Sequence, residues 1–302
     1  MKAQRTPGVL TALAPWMGSK RQLAGRIVEA LGPHDAYYEP FCGSMAVLFA
    51  KPAVRHEVVN DLNRDLVNVS SVLQSRPLAA ELLARLHFTI AAEELYREAR
   101  AAVQEPYRGR LGNVERAYHA LVTWWLGRNG CAGTRQSRTS FAARFSKSGG
   151  SGARRWRSLV ASVPRFVERL AAVDVLNRDA LELLAKVRDD RGTSIYCDPP
   201  YFVKAQEYEH DLSAGEHAQL AEVLARFRLA RVVVSYYPHP EIDRLYPRSH
   251  WVHQPIAVTK NIRNTDTRGG GAVKATELLL INRAGGLADE LPLLPAAGEM
   301  AV

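Results

Sequence analysis

"SIYCDPPYF", residues 194–202, is the stretch on which the fold turns. Thr193 to Cys197 is short, β-branched and aromatic, follows Arg191-Gly192 and runs straight into two prolines, which reads as a strand stopped abruptly. Asp198 then stands at the strand's carboxyl end, the edge of an open α/β sheet where loops leave the strands and ligands bind. Proline fixes φ and carries no N–H. Pro199-Pro200 therefore makes a stiff loop that can aim a carboxylate, a bare carbonyl and the Tyr201 ring at one small planar object. The plainer alternative is that the prolines only end a strand and Asp198 caps a neighbouring segment.

Outward from this loop the pattern is that of an α/β protein. Upstream, Leu23, Ile27 and Leu31 recur at four-residue spacing on a helix that Gly32-Pro33 ends. Tyr37 to Glu39 reads as a strand entering "EPFCGSM" (39–45), Met45 to Phe49 as a helix, and His56 to Asn60 as a second strand stopping at Asp61. Leu62, Leu66, Val69 and Leu73 mark the buried face of the next helix. Strand, turn, helix, strand, acid is the first half of a nucleotide-type unit. Helical patterns such as Val114, Tyr118, Leu121 and Trp125 interrupt it between about Arg76 and Ala171. It resumes with Asp174-Val175-Leu176 and Asp179, then the Ser194 strand. Ser213-Ala214-Gly215-Glu216 has capping-box spacing, and "RVVVSY" (231–236) and "ELLLIN" (277–282) read as strands. The expected domains are 1–75 with 172–283, and an insertion at 76–171. Residues 284–302, rich in Ala, Gly and Pro, are expected to be disordered.

Composition narrows the function classes. The chain has 302 residues, 47% hydrophobic and 24% charged, as in a globular protein. No segment approaches a membrane span and the N-terminus lacks a signal peptide's apolar run, so a cytoplasmic protein is expected. Cys42, Cys131 and Cys197 are odd in number and widely spaced, which points to neither a disulfide framework nor a zinc site, and no metal is expected. The formal charge is +9, and residues 135–169 hold nine basic residues against the single acid Glu168. Arg135, Arg138, Arg144, Lys147, Arg154, Arg155 and Arg157 alternate there with Ser, Thr and Gln and with Phe141, Phe145, Trp156 and Phe166. Gly149 to Gly152 suggests a mobile loop. Charge runs are usually solvated faces; basic groups interleaved with rings favour a surface for phosphates and bases.

Four pieces form a constellation. In "EPFCGSM", with Glu39, Phe41 and Gly43, a glycine lets backbone approach a ligand before a helix begins. Asp61 stands where an acid receives ribose hydroxyls in this architecture. "PWMGSK" (15–20) can fold the Trp16 ring and the Lys20 ammonium over that pocket, or bury a tryptophan before a helix cap. The Asp198 loop is the fourth.

The order "PWMGSK", "EPFCGSM", "NDLNRDL", basic insertion, "CDPPY", "VVVSYY", "ELLLIN" resembles the Dam-type (D12 class) adenine-specific DNA methyltransferases from about Pro15 to Asn282. The resemblance implies a Rossmann-like α/β sheet of the S-adenosylmethionine-dependent methyltransferases, with a mainly helical, basic DNA-recognition insertion. It implies transfer of a methyl group from S-adenosylmethionine to the N6 amino group of adenine in double-stranded DNA, with the base flipped out. It further implies that Trp16, Lys20, Asp61, Asp179 and Asp198 lie at the cofactor, and that Asp198, Pro199, Pro200 and Tyr201 hold the adenine. Met45 stands where the family usually shows a second glycine. An RNA adenine methyltransferase and an inactive DNA-binding protein are the alternatives, and a monomer is expected because no apolar stripe is left unassigned.

Overall fold

A computed structural model describes residues 11–16, 18–104, 108–127, 132–133, 140–143, 151–202, 210–260 and 273–283. The strands are β1 (Ala36–Glu39), β2 (His56–Asn60), β3 (Asp174–Leu176), β4 (Thr193–Cys197), β5 (Arg231–Tyr236), β6 (Trp251–Lys260) and β7 (Val273–Asn282). They form one sheet in the order β3-β2-β1-β4-β5-β7-β6. The first five are mutually parallel, and β7 runs antiparallel between β5 and β6. The chain moves outward from β1 through β2 to β3, then returns to the other side of β1 as β4. The carboxyl ends of β1 and β4 are therefore the switch point at which successive loops diverge and a crevice opens.

Period-two alternation divides the buried sheet residues between two faces. Tyr196, Val233, Leu279 and Ile281 join one apolar cluster, while Ile195, Cys197, Val232, Val234 and Leu280 join the other. The second face is covered by α8 (Ala180–Lys186), α9 (Ala214–Leu224) and α10 (Pro240–Leu245). Ser213 and Glu216 close the expected capping box on α9. The first face carries α1 (Ala24–Leu31), α2 (Ala46–Ala50) and α3 (Arg64–Gln74), followed by α4 (Arg76–His87), α5 (Glu93–Ala102), α6 (Asn113–Leu126) and α7 (Gly152–Leu170). These last four lie within the expected insertion, and their buried side chains are continuous with the core under the sheet.

Three readings are corrected here. Ser151 accepts from the Arg154 amide and caps α7, so Gly152 opens a helix of 19 residues where a mobile Gly/Ser loop was expected. Pro164 inside that helix had hidden its period. Within α7, Trp156, Leu159, Val163, Phe166 and Leu170 form one buried stripe, so Trp156 and Phe166 are core residues and not rings interleaved on a binding surface. Phe141 is half-buried. Leu62 precedes α3, because Asn63 caps that helix by accepting from Leu66, and its side chain is 40% exposed. Strand β6 was missed because of Pro255, which an edge strand tolerates where a central one does not.

A buried ion network ties α7 to the sheet. Arg169 donates to both carboxylate oxygens of Glu57 on β2 and to the Leu48 carbonyl of α2, while Lys51 pairs with the same carboxylate. Burial acts to raise the Glu57 pKa, but the two cations prevail and hold it below the usual value.

Candidate active site

The carboxyl ends of β1, β2 and β4 enclose a cavity of about 380 Å³, bordered by the start of α8. Trp16, Lys20, Glu39, Phe41, Gly43, Asp61, Asp179, Asp198, Pro199, Pro200 and Tyr201 all line it, so the four pieces read from sequence converge on one space. Arg135, Arg138, Arg144 and Lys147 lie outside the described residues, as do Cys131 and Phe145. Arg154 and Arg157 are exposed on α7, whereas the Arg155 guanidinium turns inward and donates to the carbonyls of Trp125 and Gly127.

Backbone bonds explain how the loops hold this shape. Asn60 is buried at the end of β2, donates to the carbonyls of Pro40 and Arg178 and accepts from the Arg178 amide, which stitches together the ends of β1, β2 and β3. Asp61 accepts from the amides of Gly43 at 2.8 Å and Asn63 at 2.9 Å. Two backbone donors, one to each oxygen, aim its carboxylate. Gly43 has φ +44°, and a Cβ there would stand 3.0 Å from the Trp16 indole nitrogen. The missing side chain thus lets the ring lie against the loop, with Trp124 meeting Trp16 edge-on. Ser19 and Ser44 join the two segments through a hydroxyl pair at 2.9 Å. Asp179 is exposed at the rim, where one oxygen caps α8 by accepting from Leu181 and Glu182.

The charged centre lies at the end of β4. Lys20 is buried, and its Nζ sits 2.9 Å from Asp198 Oδ1 and 3.2 Å from Glu277 Oε1. Burial alone would lower the Lys20 pKa, but the two carboxylates outweigh it and keep the ammonium charged. Tyr201 Oη lies 3.1 Å from Asp198 Oδ1 and 2.9 Å from Glu277 Oε1, and its ring meets Tyr237 edge-on. Burial, reinforced by the Glu277 charge and opposed by Lys20, pushes the Asp198 carboxyl up to about 6. Glu39 is buried deeper and its carboxyl is pushed up to about 8, chiefly by burial, although the Tyr37 hydroxyl donates to it at 2.9 Å. Burial thus raises both carboxyls toward neutral pH, Glu39 further than Asp198, whose charge Lys20 supports.

Glu277 and Asn60 escaped the sequence reading. Glu277 opens the apolar run of β7, where alternation gives no sign of chemistry, and only the placement of β7 beside β5 brings it to Lys20. Asn60 ends a strand, where an amide reads as an ordinary turn residue. Among the described residues no group of three or more metal-binding side chains gathers, and no helix is long and apolar enough to cross a membrane.

The chain matches the family model of the D12 class N6 adenine-specific DNA methyltransferases over residues 16–261. It is 23% identical over 290 residues to the Type II methyltransferase M1.LlaDCHI of Lactococcus lactis subsp. cremoris, spanning 90% of this chain and 95% of that protein. It is 25% identical over 285 residues to a DNA adenine methylase of Salmonella typhi, and 24% identical over 288 residues to one of Escherichia coli strain K12. Both alignments span 91% of this chain and 96% of the relative. With the match running from Trp16 on the cavity wall to just past β6, the chain belongs to the D12 class of adenine-specific DNA methyltransferases, enzymes that methylate DNA at the N6 amino group of adenine.

Proposed function

We propose that the methyl donor is S-adenosylmethionine, that it binds in the cavity at the switch point, and that Asp198 and Pro199 hold an adenine rotated out of the duplex. The observation that carries this reading is the Asp198 carboxylate at the end of β4, with Oδ1 taken by Lys20 and Tyr201 and, among the described residues, Oδ2 left to meet an amino group. The donor set fits the cofactor. Asp61, aimed by two amides, suits a ribose diol. Phe41, Leu62 and Leu181 offer apolar surface to an adenine, with Asp179 at its edge, and acidic groups suit a sulfonium cation.

When bound, the cofactor would supply an electrophilic methyl group on a sulfonium that leaves as a neutral thioether, and the proton lost from N6 would pass to the Asp198 carboxylate and on to solvent. The residues do the rest by orientation and electrostatics. An amino nitrogen conjugated to a purine is a poor nucleophile because its lone pair is delocalised. Asp198 Oδ2 and the Pro199 carbonyl accept its two N–H groups, which localises the lone pair and points it at the methyl carbon. Positioning of this kind is worth about 7–11 kcal/mol, and an ionised acceptor adds to it as positive charge grows on nitrogen. Tyr201, with its ring fixed by Tyr237 and Lys20, stacks on the base. Asp198 is recessed in the cavity, so a stacked adenine cannot reach it and the base must leave the duplex. The helical region 76–171 contributes the DNA-facing surface, with Arg154 and Arg157 on phosphates.

The test is transfer of labelled methyl to plasmid DNA, followed by sequencing for modified bases. Wild type yields N6-methyladenine at a recurring sequence. Asp198→Ala loses roughly a hundred- to ten-thousand-fold in rate. Wild-type activity in that variant rejects the role given to the carboxylate.

A further inference from the structure

We infer that Glu277 is a positioning residue for methyl transfer, which acts through Lys20 and Tyr201 to fix the Asp198 oxygen that meets the target amino group and to set the charge beside it. The inference rests on the role given above to Asp198.

Glu277 is buried on β7 and is not among the residues lining the cavity, so it acts on the substrate only through others. Its Oε1 and Asp198 Oδ1 share two partners: an ion pair with Lys20 Nζ at 3.2 Å against 2.9 Å, and a hydrogen bond from Tyr201 Oη at 2.9 Å against 3.1 Å. The ammonium, the phenol and the two carboxylates close a ring of contacts. The ammonium has three N–H groups, and its three partners are Asp198, Glu277 and the Gly18 carbonyl at 3.0 Å. The ammonium donates to the Gly18 carbonyl and is ion-paired with both carboxylates, which fixes its place between them. Tyr201 has a single hydroxyl proton, which can point to either carboxylate while the phenol oxygen stays within reach of both. Without Glu277 the ammonium loses one of its two carboxylate partners, Tyr201 loses its second anchor, and Asp198 can turn either oxygen toward the lysine.

The charge matters as well as the geometry. Among the described residues, the titratable groups around Asp198 are Lys20 before α1, Glu39 on β1, Tyr196 and Cys197 on β4, Glu277 on β7, and Tyr201 and Tyr237. Lys20 is the cation of this described set, and Glu277 shares it. A second carboxylate on the same ammonium leaves Asp198 less neutralised, and so a stronger acceptor for a proton leaving N6.

The experiment compares wild type, Glu277→Gln and Asp198→Asn in single-turnover methyl transfer to plasmid DNA across pH with saturating S-adenosylmethionine, and in steady-state transfer with the cofactor varied at neutral pH. Glu277→Gln keeps the shape and removes the charge. Expected is an acidic limb moved to lower pH by about one unit or more, a plateau about ten-fold lower, and a cofactor KM changed less than about three-fold. If the plateau is too low to profile, a carbon-13 titration of the Asp198 carboxyl reads the same shift. A residue that merely supports the fold leaves the limb in place. An unmoved limb, or one moved to higher pH, with Asp198→Asn inactive, overturns the role of Glu277 alone. Wild-type transfer by Asp198→Asn overturns the reading on which that role rests.

Discussion

Met45 has φ 56° and ψ 31°, a left-handed conformation that glycine adopts freely and other residues do not. This is the position where the family usually carries a glycine, and the backbone keeps the glycine's shape while the methionine side chain is wholly buried in the core. Left-handed strain costs about 1–2 kcal/mol, whereas emptying a buried methionine site costs about 2–5 kcal/mol. Met45→Gly is therefore expected to destabilise the protein, seen as a lower urea midpoint at unchanged m-value. A higher midpoint would mean that strain outweighs packing. Asp61, Asp198 and Tyr201 were legible singly because each follows a strand or a punctuating proline. Glu277 was not, since nothing local separates it from any other glutamate within a strand.

Among the elements, α7 has two faces with separate jobs. Its buried stripe and Arg169 dock it on the sheet, and Arg154 and Arg157 face solvent. Removing one partner of a buried charged group costs about 3–5 kcal/mol, though Lys51 still offsets Glu57. Arg169→Met should therefore lower stability by roughly 2–4 kcal/mol in chemical denaturation, and a change under 0.5 kcal/mol would show the network to be dispensable. Sign follows from the carboxylate: the Glu57 pKa is depressed, so its stabilisation is present above the ordinary value of 4.5 and is lost as pH falls below it. On the other face, neutralising Arg154 and Arg157 together should flatten the dependence of log K on log salt by about 2. Arg155→Ala should instead lower stability, because that guanidinium serves carbonyls at the end of α6. An unchanged salt slope in the double variant removes α7 from the DNA surface. The sequence showed the charge of this helix but not its existence. Pro164 and the glycines before it broke the local signal, and packing against α3, α4 and the sheet supplied what propensity lacked.

For the molecule as a whole, the site exists only where loops from distant parts of the chain meet, so binding there should stabilise the entire fold. S-adenosylmethionine at about 100 times its Kd adds about 2.7 kcal/mol, a rise in Tm of roughly 3–8 °C for a chain of this size. Asp61→Ala should abolish that rise in a thermal scan, and a full rise in the variant would move the ribose contact elsewhere. The sequence by itself determined the alternation of strands and helices, the strand ends that carry Asp61 and Asp198, and the identity of eleven residues that line the cavity. It could do so because period, capping and proline punctuation act over a few neighbouring residues. Only the tertiary structure decided that β7 lies antiparallel beside β5, which carries Glu277 to Lys20, and that Trp156 and Phe166 turn into the core. Those outcomes depend on which surfaces meet across scores of residues, where burial and charge pairing act without any local trace in the chain.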